Sequence, residues 1–118
     1  MELTYAAMRI AAAFLYFCHG IQKLFGAFGG HAVPIGSLFG VAGILETVLG
    51  PLIGIGMLTS WAAFIASGEM AAAYFIAHAP RGRLPIENGG ELAVILCFVF
   101  LYIATHGAGR YSVDGRGR

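Results

Sequence analysis

Three ionisable side chains lie inside long apolar stretches of this sequence, where a charge is unusual. Arg9 lies in the first stretch, and Glu46 and Glu69 lie near the centres of two later ones. If these stretches cross a bilayer, each charge near the midplane costs at least about 2.5–3.5 kcal/mol on insertion scales. We therefore expect Arg9, Glu46 and Glu69 to meet inside the protein. There they would either bind a ligand and handle protons or lock the register of the helices.

Helical spacing gives the first stretch a polar face. At about 100° per residue, Tyr5, Arg9, Tyr16 and Lys23 fall within about 40° of one another, so this face should look toward other helices. Lys23 lies near the far end of that helix and is not expected to reach a second carboxylate. One Arg can neutralise only one of the two carboxylates, Glu46 or Glu69. The second carboxyl group is expected to hold a proton at neutral pH, because desolvation and a like-charged neighbour disfavour its ionised form.

Other polar residues lie at the ends of apolar stretches. His19 and His78 would connect an interior pocket to water, although His78 also fits a helix anchor at the membrane interface. Asn88 precedes Glu91 by three residues, which is the spacing of a capping box at the start of a helix.

The elements that must position these residues are predicted to be helices. The chain has 118 residues, of which 58% are hydrophobic and 11% charged, whereas soluble domains carry about 25% charge. Four apolar runs, each near the ~20 residues that cross a bilayer, lie at about 4–25, 36–58, 61–79 and 90–106. In lipid such runs must be helical. We predict one all-α domain, an integral membrane four-helix bundle with antiparallel neighbours, short loops and a Gly- and Arg-rich tail, 107–118, that frays.

Four crossings place both termini on one side of the membrane. Lys and Arg are divided almost evenly, with Arg110, Arg116 and Arg118 on that side and Lys23, Arg81 and Arg83 on the other. We expect the termini to be cytoplasmic. The first run has no basic segment before it and is as long as a membrane span, so we expect a retained helix rather than a cleaved signal peptide.

Several functional classes are disfavoured by composition and spacing. The formal net charge of +1 and the lack of a basic stripe argue against a nucleic-acid partner. Cys18 and Cys97 are not spaced as a CxxC pair and are expected to be buried free thiols. The four His and two Cys show no ligand spacing for zinc, so no metal site is expected.

Several short motifs lie in order along nearly the whole chain. They are Arg9, the run 19–26, Glu46 with Gly50, and then the runs 56–59, 78–80, 88–91, 106–109 and 112–114. This ordered set resembles the DoxX family of small bacterial four-helix membrane proteins. Glu69 is not clearly part of the family pattern, and its place rests on helical spacing alone.

The resemblance implies a bacterial cytoplasmic (inner) membrane protein without a soluble catalytic domain. Members are similar to a subunit of a thiosulfate:quinone oxidoreductase, and others are linked to oxidative or electrophile stress beside redox partners. This sequence lacks a CxxC pair, haem-ligand spacing and a nucleotide motif. We therefore expect no intrinsic cofactor. Any enzyme activity would be that of a membrane subunit of a quinone-linked oxidoreductase, with a quinone or a partner subunit supplying the electron chemistry.

The leading hypothesis is a membrane redox subunit whose polar pocket binds a quinone or another small amphiphile. Arg9 and Lys23 would donate hydrogen bonds to the ligand, Glu46 would handle protons or hold Arg9, and Tyr16 would line the pocket. The alternatives are a non-enzymatic scaffold or assembly factor and a small transporter or proton-coupled channel. The expected partners are the bilayer, a redox subunit and further copies of this chain.

Overall fold

The computed structural model describes residues 2–115, and every regular element in that range is a helix, as predicted. The helix Thr59–Ala73 continues through a π-helical turn, Tyr74–His78, and a 3-10 turn, Ala79–Arg81. Arg116 and Arg118, which entered the topology prediction, lie outside the described residues. The helices are α1 Glu2–Phe25, α2 Leu38–Ile55, α3 Thr59–Ala73, the single turn α4 Pro85–Asn88, and α5 Glu91–His106.

The long helices pack as two pairs, α1 with α2 and α3 with α5. Glycines allow the close approach of α1 and α2: a Cβ atom built on Gly20 would lie 2.7 Å from the backbone nitrogen of Thr47. Small residues serve the same purpose at contacts between membrane helices. In the second pair, the Ser67 hydroxyl donates to the Cys97 carbonyl oxygen at 2.7 Å. Cys97 and Cys18 are both free and only partly buried.

The outer surface of the bundle is strongly apolar. Large side chains such as Phe14, Trp61, Phe64 and Phe98 are more than 60% exposed, and an exposed apolar surface of this extent indicates contact with lipid or with other chains. Within residues 2–115, two helices are long and apolar enough to cross a membrane, Leu38–Ile55 and the continuous segment Thr59–Arg81. Helix α5 is shorter, with 16 residues, and a four-crossing bundle remains a prediction.

The tail does not fray over its described part, 107–115. Its backbone crosses the end of the bundle, where the Val113 amide donates to the Ile55 carbonyl oxygen at 3.0 Å and the Asp114 amide donates to that of Gly56 at 2.8 Å. The Asp114 carboxylate accepts hydrogen bonds from the amides of Leu58 at 3.1 Å and Thr59 at 2.8 Å, which begin α3. The prediction of fraying was wrong because the partners of this polar segment lie more than 50 residues away.

The predicted capping box at the start of α5 is also wrong. Gly90 is the N-cap residue, and a glycine has no side chain that could cap this helix. Gly89 adopts a left-handed conformation with φ of 75°, which separates Asn88 from α5. Asn88 instead ends α4, and its side-chain oxygen accepts a hydrogen bond from the Gly90 amide at 2.9 Å. Glu91 is the exposed first residue of α5.

Candidate functional site: a cavity between the helix pairs

A cavity of about 500 Å³ lies between the two helix pairs, beside the second half of α1 and the first half of α2. Its volume is within the range of small-molecule sites. Most of the lining is apolar, and several lining residues, among them Phe39, Ile65 and Ile76, are also exposed on the outer surface of the bundle. The cavity therefore opens sideways, between α2 and α3, onto the surface that faces lipid if the bundle spans a membrane.

The floor of this cavity is polar and comes from three helices. Tyr16 and Lys23 of α1, Glu46 of α2 and Glu69 of α3 all line it. Tyr16 and Glu46 are 0% exposed. Lys23 Nζ donates to Glu46 Oε1 at 2.7 Å and forms an ion pair with it. Glu69 lies beside Glu46 and the Tyr16 hydroxyl. We call these four residues the polar floor.

Local packing explains how each floor residue reaches this place. Tyr16 is held against Phe100 of α5 in an edge-to-face contact, with ring centroids 4.9 Å apart. The Lys23 stem crosses α2 at Gly43, where a Cβ atom would lie 3.0 Å from Lys23 Cβ. Because Gly43 has no side chain, the lysine can turn inward to Glu46 instead of extending toward the membrane surface.

Three atoms of the polar floor have no hydrogen bond of regular geometry to any described residue. They are Tyr16 Oη, Glu46 Oε2 and Glu69 Oε1. A buried polar atom left in this state costs about 1–3 kcal/mol, and native proteins retain few of them. Here three such atoms belong to residues that line one cavity and lie close to one another, with the Tyr16 hydroxyl beside Glu69 and Glu69 beside Glu46. A molecule that supplied hydrogen bonds to them would bind with that energy in its favour.

The formal charges of the floor also do not balance, since two carboxyl groups face one ammonium group. A proton on one carboxyl, or a ligand that donates hydrogen to it, would relieve the repulsion between Glu46 and Glu69. Within residues 2–115, no group of three or more His, Cys, Asp or Glu side chains is arranged to hold a metal ion.

Arg9 is not part of the polar floor. It is 1% exposed, and its guanidinium group binds only backbone carbonyl oxygens among the hydrogen bonds of the described residues. Nε donates to Ile53 at 3.0 Å, Nη1 donates to Ala108, and Nη2 donates to Gly54 at 3.2 Å and to Tyr111 at 2.8 Å. Arg9 therefore joins the end of α2 to the tail.

The expected meeting of Arg9, Glu46 and Glu69 is accordingly wrong for Arg9, and the lysine thought to be out of reach is the partner of Glu46. The reason is the antiparallel packing of α1 and α2. It sets Arg9 level with the C-terminal end of α2, and it brings the second half of α1 level with Glu46. Glu46 and Glu69 both line the cavity and interact with each other.

The two histidines line the cavity, but neither forms a hydrogen bond with Tyr16 Oη, Glu46 Oε2 or Glu69 Oε1. His19 is exposed and also lines a second, smaller pocket with Cys18 and Gln22. His78 is half-buried at the end of the π-helical turn, with Nδ1 3.3 Å from the Asn88 carbonyl oxygen. π-Helical turns are frequent at functional sites because they displace one side chain from the regular helical position.

Asn88 was predicted only as a cap, and its role at this end of the cavity was missed. Its side-chain amide donates to the Tyr74 hydroxyl at 3.0 Å and to the Gly82 carbonyl oxygen at 3.1 Å. It thereby fastens the segment between α3 and α5 to the π-helical turn. An Asn beside two glycines signals a turn, but nothing in the spacing identifies a tyrosine 14 residues earlier as its partner.

Comparison with known proteins places these helices in a family. The family model described as DoxX matches residues 4–79, which contain the whole polar floor. A Haemophilus influenzae protein, whose name is "Uncharacterized protein", is 40% identical over 118 residues, covering 94% of this chain and 88% of that relative. No solved structure matches this chain. On the family match and this identity, the chain belongs to the DoxX family, whose members are membrane-associated proteins.

Proposed function

We propose that this chain is a multi-pass protein of the bacterial cytoplasmic membrane and a subunit or accessory of a quinone-linked redox system. Its cavity would bind a quinone or a similar small amphiphile. The observation that carries the proposal is the cavity itself, which joins a lateral apolar opening to a buried floor with three unpartnered polar atoms.

The proposed topology has four crossings with both termini in the cytoplasm. The two ends of the described chain meet at one end of the bundle, which supports an even number of crossings. The Tyr5 hydroxyl donates to the Gly107 carbonyl oxygen, and the Arg110 amide donates to Glu2 Oε2 at 3.0 Å. The apolar outer surface supports burial in lipid.

A quinone suits this cavity for chemical reasons. Its ring carries carbonyl groups that need hydrogen-bond donors, and its tail is apolar. The Tyr16 hydroxyl and the remaining Lys23 hydrogens would serve the ring, while the opening between α2 and α3 would leave the tail in lipid. When bound, a quinone supplies a site for two electrons and two protons. Glu46 and Glu69 would exchange those protons, and a partner subunit would handle the electrons.

The proposal is tested by blocking the cavity. In lipid nanodiscs, a decyl-tailed benzoquinone should raise the thermal unfolding midpoint of the wild-type protein. Ala42→Phe fills part of the cavity and should weaken binding at least about tenfold. Ala7→Phe places the same ring on the exposed side of α1, away from the cavity, and should leave binding unchanged.

Two outcomes would contradict this assignment. If the quinone leaves the wild-type midpoint unchanged, or if Ala42→Phe and Ala7→Phe bind it equally well, the cavity is not its site. A co-purifying membrane complex combined with no quinone effect would favour the scaffold function instead.

A further inference from the structure

We infer that the polar floor prefers the reduced, hydroxyl-bearing form of its ligand, a hydroquinone, over the quinone. The preference arises because Glu46 and Glu69 accept hydrogen bonds that only the hydroquinone can donate. This inference rests on the proposed quinone site and adds to it the redox state that the site selects.

The hydrogen-bond inventory of the floor is dominated by acceptors. Two of its three unpartnered atoms, Glu46 Oε2 and Glu69 Oε1, are carboxyl oxygens, and the third, Tyr16 Oη, both donates and accepts. Lys23 already gives one hydrogen to Glu46 Oε1. The floor therefore has more need of donors than of acceptors.

A quinone ring cannot meet this need. Its carbonyl oxygens only accept, so they would bind the Tyr16 hydroxyl or a spare Lys23 hydrogen and leave the carboxyl oxygens as they were. A hydroquinone hydroxyl can donate to a carboxyl oxygen and accept from Tyr16 at the same time. Hydrogen bonds to an ionised carboxylate are also shorter and roughly twice as strong as neutral ones.

A proton already on the floor does not remove the preference. If Glu46 and Glu69 share one proton, the Tyr16 hydroxyl can donate to Glu69 while Lys23 donates to Glu46. Each carboxyl oxygen can accept two hydrogen bonds, so the acceptor capacity of the two carboxyl groups still exceeds these donors. The other polar side chains that line the cavity, His19 and His78, form no hydrogen bond with these atoms. The bound hydroquinone thus remains the better source of hydrogen.

Three ligands with the same decyl tail test the inference: the benzoquinone, its hydroquinone, and the dimethyl ether of the hydroquinone. The ether keeps the ring but cannot donate. Calorimetric titration into wild-type nanodiscs without oxygen should show the hydroquinone binding at least about tenfold tighter than the other two. In Glu69→Gln, the side-chain amide offers a donor to the quinone, so the two redox forms should bind within about threefold of each other. Glu91→Gln makes the same change on the exposed start of α5 and should keep the wild-type ratio.

The inference is overturned if the wild-type protein binds all three ligands equally, a comparison that needs no variant to fold. It is also overturned if the preference survives in Glu69→Gln, or if a decyl-tailed trimethylammonium ion binds more tightly than the hydroquinone. In that last case the site would select its ligand by positive charge, because two carboxyl groups face one ammonium group, and not by hydrogen-bond donation. Equal binding of both redox forms leaves the proposed quinone site intact, whereas no binding of any quinone form removes both.

Discussion

Replacing Arg9 should show that its charge stabilises the fold and takes no part in binding a ligand in the cavity. Arg9→Met removes a guanidinium group that donates to four backbone carbonyl oxygens. Two of these carbonyl groups should be destabilised little by the loss of Arg9. The Ile53 carbonyl oxygen also accepts from the Gly56 amide at 3.1 Å, and Tyr111 is exposed to solvent, where water can replace the lost donor. The other two, on Gly54 and Ala108, lose the only donor that the described hydrogen bonds provide.

The magnitude follows from those two carbonyls. A hydrogen bond from a charged donor is worth about 1.5–3 kcal/mol, so Arg9→Met should lower the free energy of unfolding by about 3–6 kcal/mol. Arg9→Lys keeps the charge but not the planar fork of donors, and it should lose about half as much. Arg83→Met, at an exposed position in the segment before α4, is the matched control and should change stability by less than about 0.5 kcal/mol.

Unfolding by sodium dodecyl sulfate in mixed micelles measures these differences, and quinone titration of Arg9→Lys provides a second, independent result. Because Arg9 does not line the cavity, the affinity for quinone should stay within about threefold of wild type. A loss of stability below about 1 kcal/mol for Arg9→Met would refute the reasoning. A large loss of quinone affinity in Arg9→Lys with unchanged stability would also refute it, because Arg9 would then take part in binding the ligand.

Three further results are expected from the same unfolding assay. Lys23→Met leaves the Glu46 carboxylate buried without its cation and should cost toward the lower end of about 3–5 kcal/mol, because the lysine is itself partly exposed. The double variant Lys23→Met/Glu46→Gln should recover much of that loss, and no recovery would argue against the ion pair. Gly20→Ala should cost about 1–3 kcal/mol by forcing α1 from α2. Gly68→Ala, in open space on α3, should be neutral or stabilising by up to about 1 kcal/mol, and a similar loss at both glycines would contradict the packing. Asp114→Asn removes one of two carboxylate acceptors at the start of α3 and should cost about 0.5–2 kcal/mol, and an unchanged stability would show that the tail does not cap this helix.

Helical periodicity predicted correctly which faces of α1 and α2 lie inside the protein. Arg9 and Tyr16 share a buried face of α1, and Glu46 is buried beside Gly43 and Gly50 on α2. These predictions succeed because the angle between residues on a helix is a property of the backbone alone. Which residues meet across two helices also depends on the offset of one helix along the other, and spacing within a single segment carries no information about that offset.

The polar floor illustrates this difference. Periodicity placed Lys23 on the interior face but near one membrane edge, and it paired Glu46 with Arg9. The missing fact was that Gly43 lies where the Lys23 stem crosses α2, which lets the lysine turn inward. A glycine is visible in the sequence, but the side chain that packs against it is decided by tertiary contact.

The sequence by itself determined the helical class, the apolar exterior and the presence of buried ionisable groups, because composition and local backbone geometry suffice for these. Only the tertiary structure decided that Lys23, not Arg9, neutralises Glu46, and that the tail closes the junction of α2 and α3. Both outcomes depend on pairs of groups that are distant in the chain, such as Arg9 and Tyr111, which are 102 residues apart. For the tail and Arg9, the energy comes largely from unsatisfied carbonyl and amide groups at helix ends, which bind whichever polar group the packing brings within reach. For Lys23 and Glu46, it comes from the attraction of two opposite charges that are partly or fully removed from water.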